Sequence, residues 1–204
     1  MKQMSFGLPR RTRKAERNKP PFSLRPGIRQ AQLSGTPIFD KVTAFARDNW
    51  QALESYQPGL LIGHAAELGE LAESVRAGLI DLSSVDHAVF ALTKCGDSPI
   101  SDILRVLLWQ CFGVPVYELL VTEDSELLAA DCEAQEGWHL QPGMEASLLD
   151  REIVLRTPGI RALHTGLTAE IEAEGCPCGR ITPRIMNVER LRGPAAARRL
   201  AAIA

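Results

Sequence analysis

The stretch "GLLIGHAAELGELAESVRAG" (59–78), followed shortly by "VDHAVFALT" (85–93), decides the fold. "GLLIG" is a short apolar run bounded by glycines and reads as a buried strand. The next residues change period: Leu68, Leu71, Ala72 and Val75 fall on one helical face, and Gly78 supplies a stop. "VDHAVFALT" then returns to a near-continuous apolar strand. Strand, crossover helix and strand make a βαβ unit, and strands apolar on both faces belong to a parallel sheet covered on both sides.

The same grammar continues on the C-terminal side. Ser101 caps "SDILRVLLWQCFG" (101–113), Gly113 ends it, and "VPVYELLV" (114–121) supplies a third strand. On the N-terminal side, "IFDKVTAFARDNWQALESY" (38–56) puts Val42, Phe45, Ala46, Trp50 and Leu53 on one face, predicting a helix with Asp40 as its cap. After residue 122 the pattern turns to short alternating strands between Gly and Pro turns: "LLAADCEA", "GWHLQPG", "REIVLRT" and "HTGLTAEIEAE". These predict a small antiparallel sheet or distorted barrel attached to the first unit. "GPAAARRLAAIA" (193–204) is an alanine-rich helix signal with little face of its own to bury.

Composition sets the limits around this core. A chain of 204 residues, 45% of them hydrophobic, suffices for one substantial domain with a small appendage. No apolar run approaches the roughly 18 residues of a membrane span, and the N-terminus is charged where a signal peptide is apolar. The expectation is a cytoplasmic protein without a membrane partner. The formal net charge of −2 conceals an asymmetry: residues 1–30 hold nine Lys/Arg and one acid, so the remainder carries a net −10. With Pro9, Pro20, Pro21 and Pro26 interleaved, that segment reads as an extended or disordered arm. It is expected to lie on the acidic body of its own chain; nucleic-acid binding is the lesser reading, since no ladder of aromatics is interleaved for stacking on bases. The expected organisation is an arm over 1–36, an α/β unit over 37–123, a β region over 124–190 and a short helix over 191–204.

Five cysteines, an odd number, argue against a disulfide framework. Cys95 and Cys111 sit in strand and helix contexts and are expected in the core. Cys176 and Cys178 form a CxC pair in a Gly/Pro-flanked turn; Cys132 and His139 have six residues between them, among them Gly137. Together the four make a Cys3His set of the kind that suits tetrahedral zinc. Two packed thiols, or a redox pair, remain alternatives. His64 and His87 read as structural, and His164 as a weaker fifth candidate for the metal.

"FGVPVYELLVTE" (112–123), "CEAQEGWHL" (132–140), "REIVLRT" (151–157) and "CPCGRITPRI" (176–185), in that order, resemble the phenylacetate–coenzyme A ligase family, a branch of the adenylate-forming enzymes. "LLIGHAAELGELAE" (60–73) and "TKCGDSPISDILRVLLWQCFG" (93–113) follow the order of that family's central α/β subdomain. The resemblance implies a structural Zn²⁺ on Cys132, His139, Cys176 and Cys178. It also implies ATP, Mg²⁺ and coenzyme A as the family's reactants. Thr122 and Glu123 match a Thr-Glu pair that touches phosphate and metal, Tyr117 the aromatic of the preceding strand, and Gly96 and Asp97 a segment beside the adenine.

Other required parts are altered. The sequence before Thr122 lacks the family's aromatic-glycine pair and is one residue shorter. Leu167, in "LHTGLT", stands where an acid should receive the ribose hydroxyls. "LSGTPIFD" (33–40) has a Ser-Gly-Thr but reads better as a helix cap than as a phosphate loop, and a lid lysine would begin near residue 190. The expectation is a degenerate, partial relative that does not adenylate alone. The alternatives are a subunit of a split ligase, completed by a partner chain that supplies the phosphate loop and lid or by a second copy, and a zinc-containing nucleic-acid binder using the arm.

Overall fold

The computed structural model describes residues 23–47, 49–156 and 162–191. Most of the basic arm (1–22) and the alanine-rich run (192–204) lie outside them. The chain enters through β1 (Gln30–Leu33) and β2 (Val42–Phe45), which pair in parallel, and α1 (Trp50–Tyr56) follows. The βαβ succession then stands where its periodicity predicts: β3 (Leu60–His64), α2 (Ala65–Arg76), β4 (Ala88–Lys94), α3 (Asp102–Phe112) and β5 (Val116–Val121). Strands β2, β1, β3, β4 and β5 form one parallel block.

The N-terminal expectations need correction. Residues 30–33, assigned to the arm, are a fully buried strand, so the body begins before residue 37. The helix predicted over 38–56 is divided into β2 and the short α1. The free edge of β1 offers a ladder to Val42, Thr43 and Phe45, all good strand formers. The helix is capped by Asn49 in place of Asp40, its side chain accepting the Ala52 amide at 3.3 Å. The Ser-Gly-Thr run therefore caps no helix. It opens a crossover, residues 34–41, that places Ile38 and Phe39 in the core. Gln32 pins this crossover: its amide nitrogen donates to the Ser34 and Thr36 carbonyls at 3.1 and 2.8 Å, and its oxygen accepts the Ile38 amide at 2.9 Å.

The antiparallel half comprises β6 (Leu127–Asp131), β7 (Trp138–Leu140), β8 (Glu145–Leu149), β9 (Glu152–Arg156), β10 (Leu163–His164), β11 (Leu167–Glu172) and β12 (Arg184–Arg190). Four of these continue the parallel block into one nine-stranded mixed sheet, ordered β11-β12-β7-β6-β5-β4-β3-β1-β2. Only β10-β9-β8 form the separate small sheet that the alternating pattern suggests.

Helices α2 and α3 cover one face, where Leu68, Leu71 and Leu108 meet Leu61, Val89 and Val116. On the other face Phe39, Phe90 and Tyr117 meet edge-on, with ring centroids 6.1 and 6.0 Å apart, over Leu60 and Ile62. Ile153 and Leu155 of the small sheet pack on Leu120, Leu128, Trp138 and Ile185.

One carboxylate is buried among these layers. Glu118 of β5 accepts the Ile100 amide at 2.8 Å and the Thr93 hydroxyl, and Arg105 lies 3.6 Å away. It thereby holds the loop after β4 against β5. Burial raises its pKa to about 7, against the opposing hydrogen bonds from Thr93 and Ile100 and the Arg105 charge, with Asp131 adding to the rise. A carboxyl raised in the folded state contributes stability fully below its unfolded pKa and loses it as pH rises through the folded value. Stability should therefore fall by up to roughly 3 kcal/mol between about pH 5 and 8, and Glu118→Gln should flatten that slope, as urea titrations across this range would show.

Candidate metal centre and sheet-edge crevice

Two hairpin loops supply the predicted metal ligands. Cys132 directly follows β6 and His139 lies within β7, with Gln135 (φ 52°) and Gly137 (φ 92°) turning the chain between them. A Cβ on Gly137 would sit 2.6 Å from the Ile185 carbonyl oxygen, so the turn requires glycine. Cys176 and Cys178 lie between β11 and β12, where the Cys176 amide donates to the Arg180 carbonyl at 3.1 Å and the Gly179 amide to the Cys176 carbonyl at 2.9 Å. The loops meet because β12 pairs with β7, Arg184 opposite His139 and Ile185 opposite Trp138.

One donor atom from each of Cys132, His139, Cys176 and Cys178 lies within 4.8 Å of all the others. Cys132 Sγ is 3.6 Å from Cys176 Sγ, and Cys178 Sγ is 3.5 Å from His139 Nε2. His139 Nδ1 is 2.9 Å from Thr182 Oγ1, which turns Nε2 towards the sulfurs and fixes the ring, as metal-binding imidazoles require. Burial, followed by the Arg180 and Arg184 charges, lowers the His139 pKa and keeps the ring neutral. Burial pushes the Cys132 thiol up to about 11. At Cys176 burial also works upward, but the Cys178 amide, the neighbouring thiols and Arg184 outweigh it, and the pKa is lowered. Three cysteine sulfurs and an imidazole nitrogen so gathered are a donor set that can hold a borderline-soft cation, with thiol protons released on binding.

The other sulfurs and His164 stand elsewhere. Cys95 is half-buried against the third core and Cys111 contacts the Ala72 carbonyl at 3.5 Å. His164 Nδ1 pairs with the buried Glu152 at 2.8 Å and is no part of the cluster.

The predicted nucleotide-side residues gather at the opposite end of β5. In parallel sheets the crevice beyond the carboxyl ends of the strands is the usual ligand position. There Glu123 pairs with Lys94 at 3.0 Å, and Thr122 closes the β5–β6 turn, its hydroxyl accepting the Glu126 amide at 3.0 Å. Gly96 and Asp97 follow β4, and the Gly96 amide donates to the Thr165 carbonyl at 2.7 Å. Tyr117 is not brought to this group: it lies near the start of β5, five residues or about 17 Å of strand from Thr122, with its ring against Phe90.

Glu152, Glu118 and Lys94 escaped the sequence reading. Glu152 is fully buried and accepts the Gly166 amide at 2.8 Å, so it holds the Thr165-Gly166 turn against Gly96. Leu167, next along, is also fully buried. Near the crevice, Ser34 donates to the carboxylate of Glu67 at the start of α2.

No protein-family model and no curated protein matches the chain. The mixed sheet with its βαβ core is shared with part of several solved CoA ligases. The chain is similar to 2-hydroxyisobutyryl-CoA ligase in complex with 2-HIB-AMP and CoA, with a TM-score of 0.65 and 16% identity over 82% of this chain and 46% of that one. It is similar also to an anthranilate CoA ligase in complex with anthranoyl-AMP (TM-score 0.54, 12% identity, 78% of this chain and 40% of that one). Coronafacic acid ligase from Pectobacterium brasiliense gives a TM-score of 0.52 at 15% identity over 79% and 39%. The chain spans less than half the length of each, and at these identities the likeness is one of fold.

Gly137 links the fold to the cluster. Gly137→Ala forces a side chain into left-handed backbone and onto the Ile185 carbonyl. It should cost at least roughly 2 kcal/mol in thermal unfolding and weaken metal retention against a chelator.

Proposed function

We propose that this chain is a degenerate portion of a phenylacetate–coenzyme A ligase-like, adenylate-forming protein that holds a structural Zn²⁺ and does not activate a carboxylic acid by itself. The observation that carries the reading is Leu167. Where the resemblance calls for an acid to receive the ribose hydroxyls, this side chain is apolar and 0% exposed, packed with the third core. A leucine accepts no hydrogen bond. The nearest buried carboxylate, Glu152, is engaged by Gly166 and His164. The Ser-Gly-Thr turn is closed on Gln32, and the Glu67 carboxylate at Ser34 opposes a phosphate there. A structural role for the cation is supported by position: the cluster stands at the amino end of β5, a strand's length from the crevice, so an ion there polarises nothing bound at the carboxyl edge. Four protein ligands also leave no open position.

A second reading is favoured by the residues at the carboxyl edge of the parallel strands. Lys94, Gly96, Asp97, Thr122 and Glu123 line the carboxyl edge, where a partner chain supplying a phosphate loop and lid could complete a site for ATP, Mg²⁺ and coenzyme A. Pyrophosphate exchange with ATP and a panel of aryl acids separates the two. The purified chain should stay at background; exchange that appears only with a copurifying partner selects the split ligase, and exchange by the chain alone removes the first reading.

The metal is tested apart from activity. Metal analysis of the native protein should find close to one zinc per chain, and less than about half an equivalent would sink the assignment. Cys176→Ser should lose zinc and destabilise the β region by several kcal/mol, because binding energy at such a site is folding energy.

A further inference from the structure

The sequence sets Cys176 and Cys178 side by side, but the contact in the structure is a different one. Cys132 Sγ stands 3.6 Å from Cys176 Sγ across the junction of the two hairpin loops, while Cys178 Sγ faces His139 Nε2 at 3.5 Å. Cys132 is 0% and Cys176 6% exposed, and all three sulfurs are unbridged. The two thiols in contact come from positions 44 residues apart. Bonded sulfurs stand about 2 Å apart, so closure from 3.6 Å requires about 1.6 Å of approach, which rotation about the two Cα–Cβ bonds can supply.

We propose that Cys132 and Cys176 are a redox pair, and that the Cys3His centre exchanges its metal cross-link for a Cys132–Cys176 disulfide on reaction with a peroxide. The metal-loaded side of this exchange rests on the structural Zn²⁺ reading above.

The chemistry balances over two displacements. Cys176, the more accessible of the pair, attacks one oxygen of hydrogen peroxide as its thiolate. The O–O bond breaks, hydroxide leaves, and the sulfur, oxidised by two electrons, becomes a sulfenic acid. Cys132 as thiolate then attacks Cys176 Sγ; the S–O bond breaks, a second hydroxide leaves and the S–S bond forms. Both hydroxides take up protons to become water. Arg184, 6% exposed and held by the Glu136 carboxylate at 3.0 Å, sets a positive charge beside Cys176 where each hydroxide departs.

Of the four donors, Cys178 and His139 alone then remain, too few for a closed tetrahedral site, so the ion is released. The junction keeps a cross-link either way. Strands β7 and β12 share two register pairs, Arg184 with His139 and Ile185 with Trp138, so this corner of the sheet leans on whatever ties the two loops. A Cys132–Cys176 bond does so and also constrains the unfolded chain. A bond inside the CxC turn would tie one loop to itself and leave the junction open.

The test starts with the zinc content of the native protein, which bears on the metal reading alone. The full chain is then treated with hydrogen peroxide, both as isolated and after removal of metal by a chelator. Released zinc is read with a chromogenic chelator, and disulfides are mapped by mass spectrometry without reduction, with fragment spectra that separate Cys176 from Cys178. The expected result is release of about one zinc per chain in step with a Cys132–Cys176 bond, both reversed by a dithiol and added zinc, and the same bond in the metal-free chain. A bond that uses Cys178, bonds between chains, or sulfinic and sulfonic acids without a disulfide would overturn the pairing. Zinc that stays bound while peroxide is consumed would overturn the exchange. A chain isolated without zinc removes the metal reading and the exchange with it, whereas the redox pair stands or falls by the disulfide map of that same chain.

Discussion

Strand β5 is the constraint on which the rest depends. It is the fifth of nine strands, buried at every position, and bonds in parallel to β4 on one side and antiparallel to β6 on the other. A strand so placed has no free edge and no solvated face, so its residues must be apolar or fully partnered. Glu118, its one acid, meets this condition through Ile100, Thr93 and Arg105. Because β5 joins the βαβ block to the antiparallel half, the direction of every other strand follows from it. Its two ends define two chemical environments: the amino end lies beside the Cys3His cluster, and the carboxyl end leads to Thr122 and the Glu123–Lys94 pair.

Much of this was legible because periodicity is a local signal. The apolar runs and the 3.6-residue helices between them locate β3, α2, β4, α3 and β5 without reference to anything distant. The gathering of Cys132, His139, Cys176 and Cys178 was legible for a different reason: thiols and an imidazole at turn positions have few uses, so residue chemistry stood in for geometry. Less visible were elements whose identity depends on a remote partner. Val42–Phe45 fits a helical face as well as a strand, and only the edge of β1 decides between them. Arg184–Arg190 alternates weakly, yet it is the strand whose pairing with β7 brings Cys176 and Cys178 to Cys132 and His139. Glu118 and Glu152 could not be singled out because an acid in an apolar run looks the same whether its partners are water or buried amides.

The two ends of β5 carry different physical penalties for change. A cluster of three thiols and an imidazole inside a hairpin junction is costly to dismantle: removal of one ligand exposes the others as buried, unpartnered polar groups and loosens the β7–β12 pairing. An acid at position 167 has the opposite balance. In this fold that position points into the third core beside Ile153 and Leu155. A carboxylate there is stable only if a bound ligand or a wet crevice partners it. Leucine at the same place adds the roughly 1.5–3 kcal/mol of a buried aliphatic side chain. Folding stability alone therefore favours both leucine at position 167 and the intact Cys3His cluster.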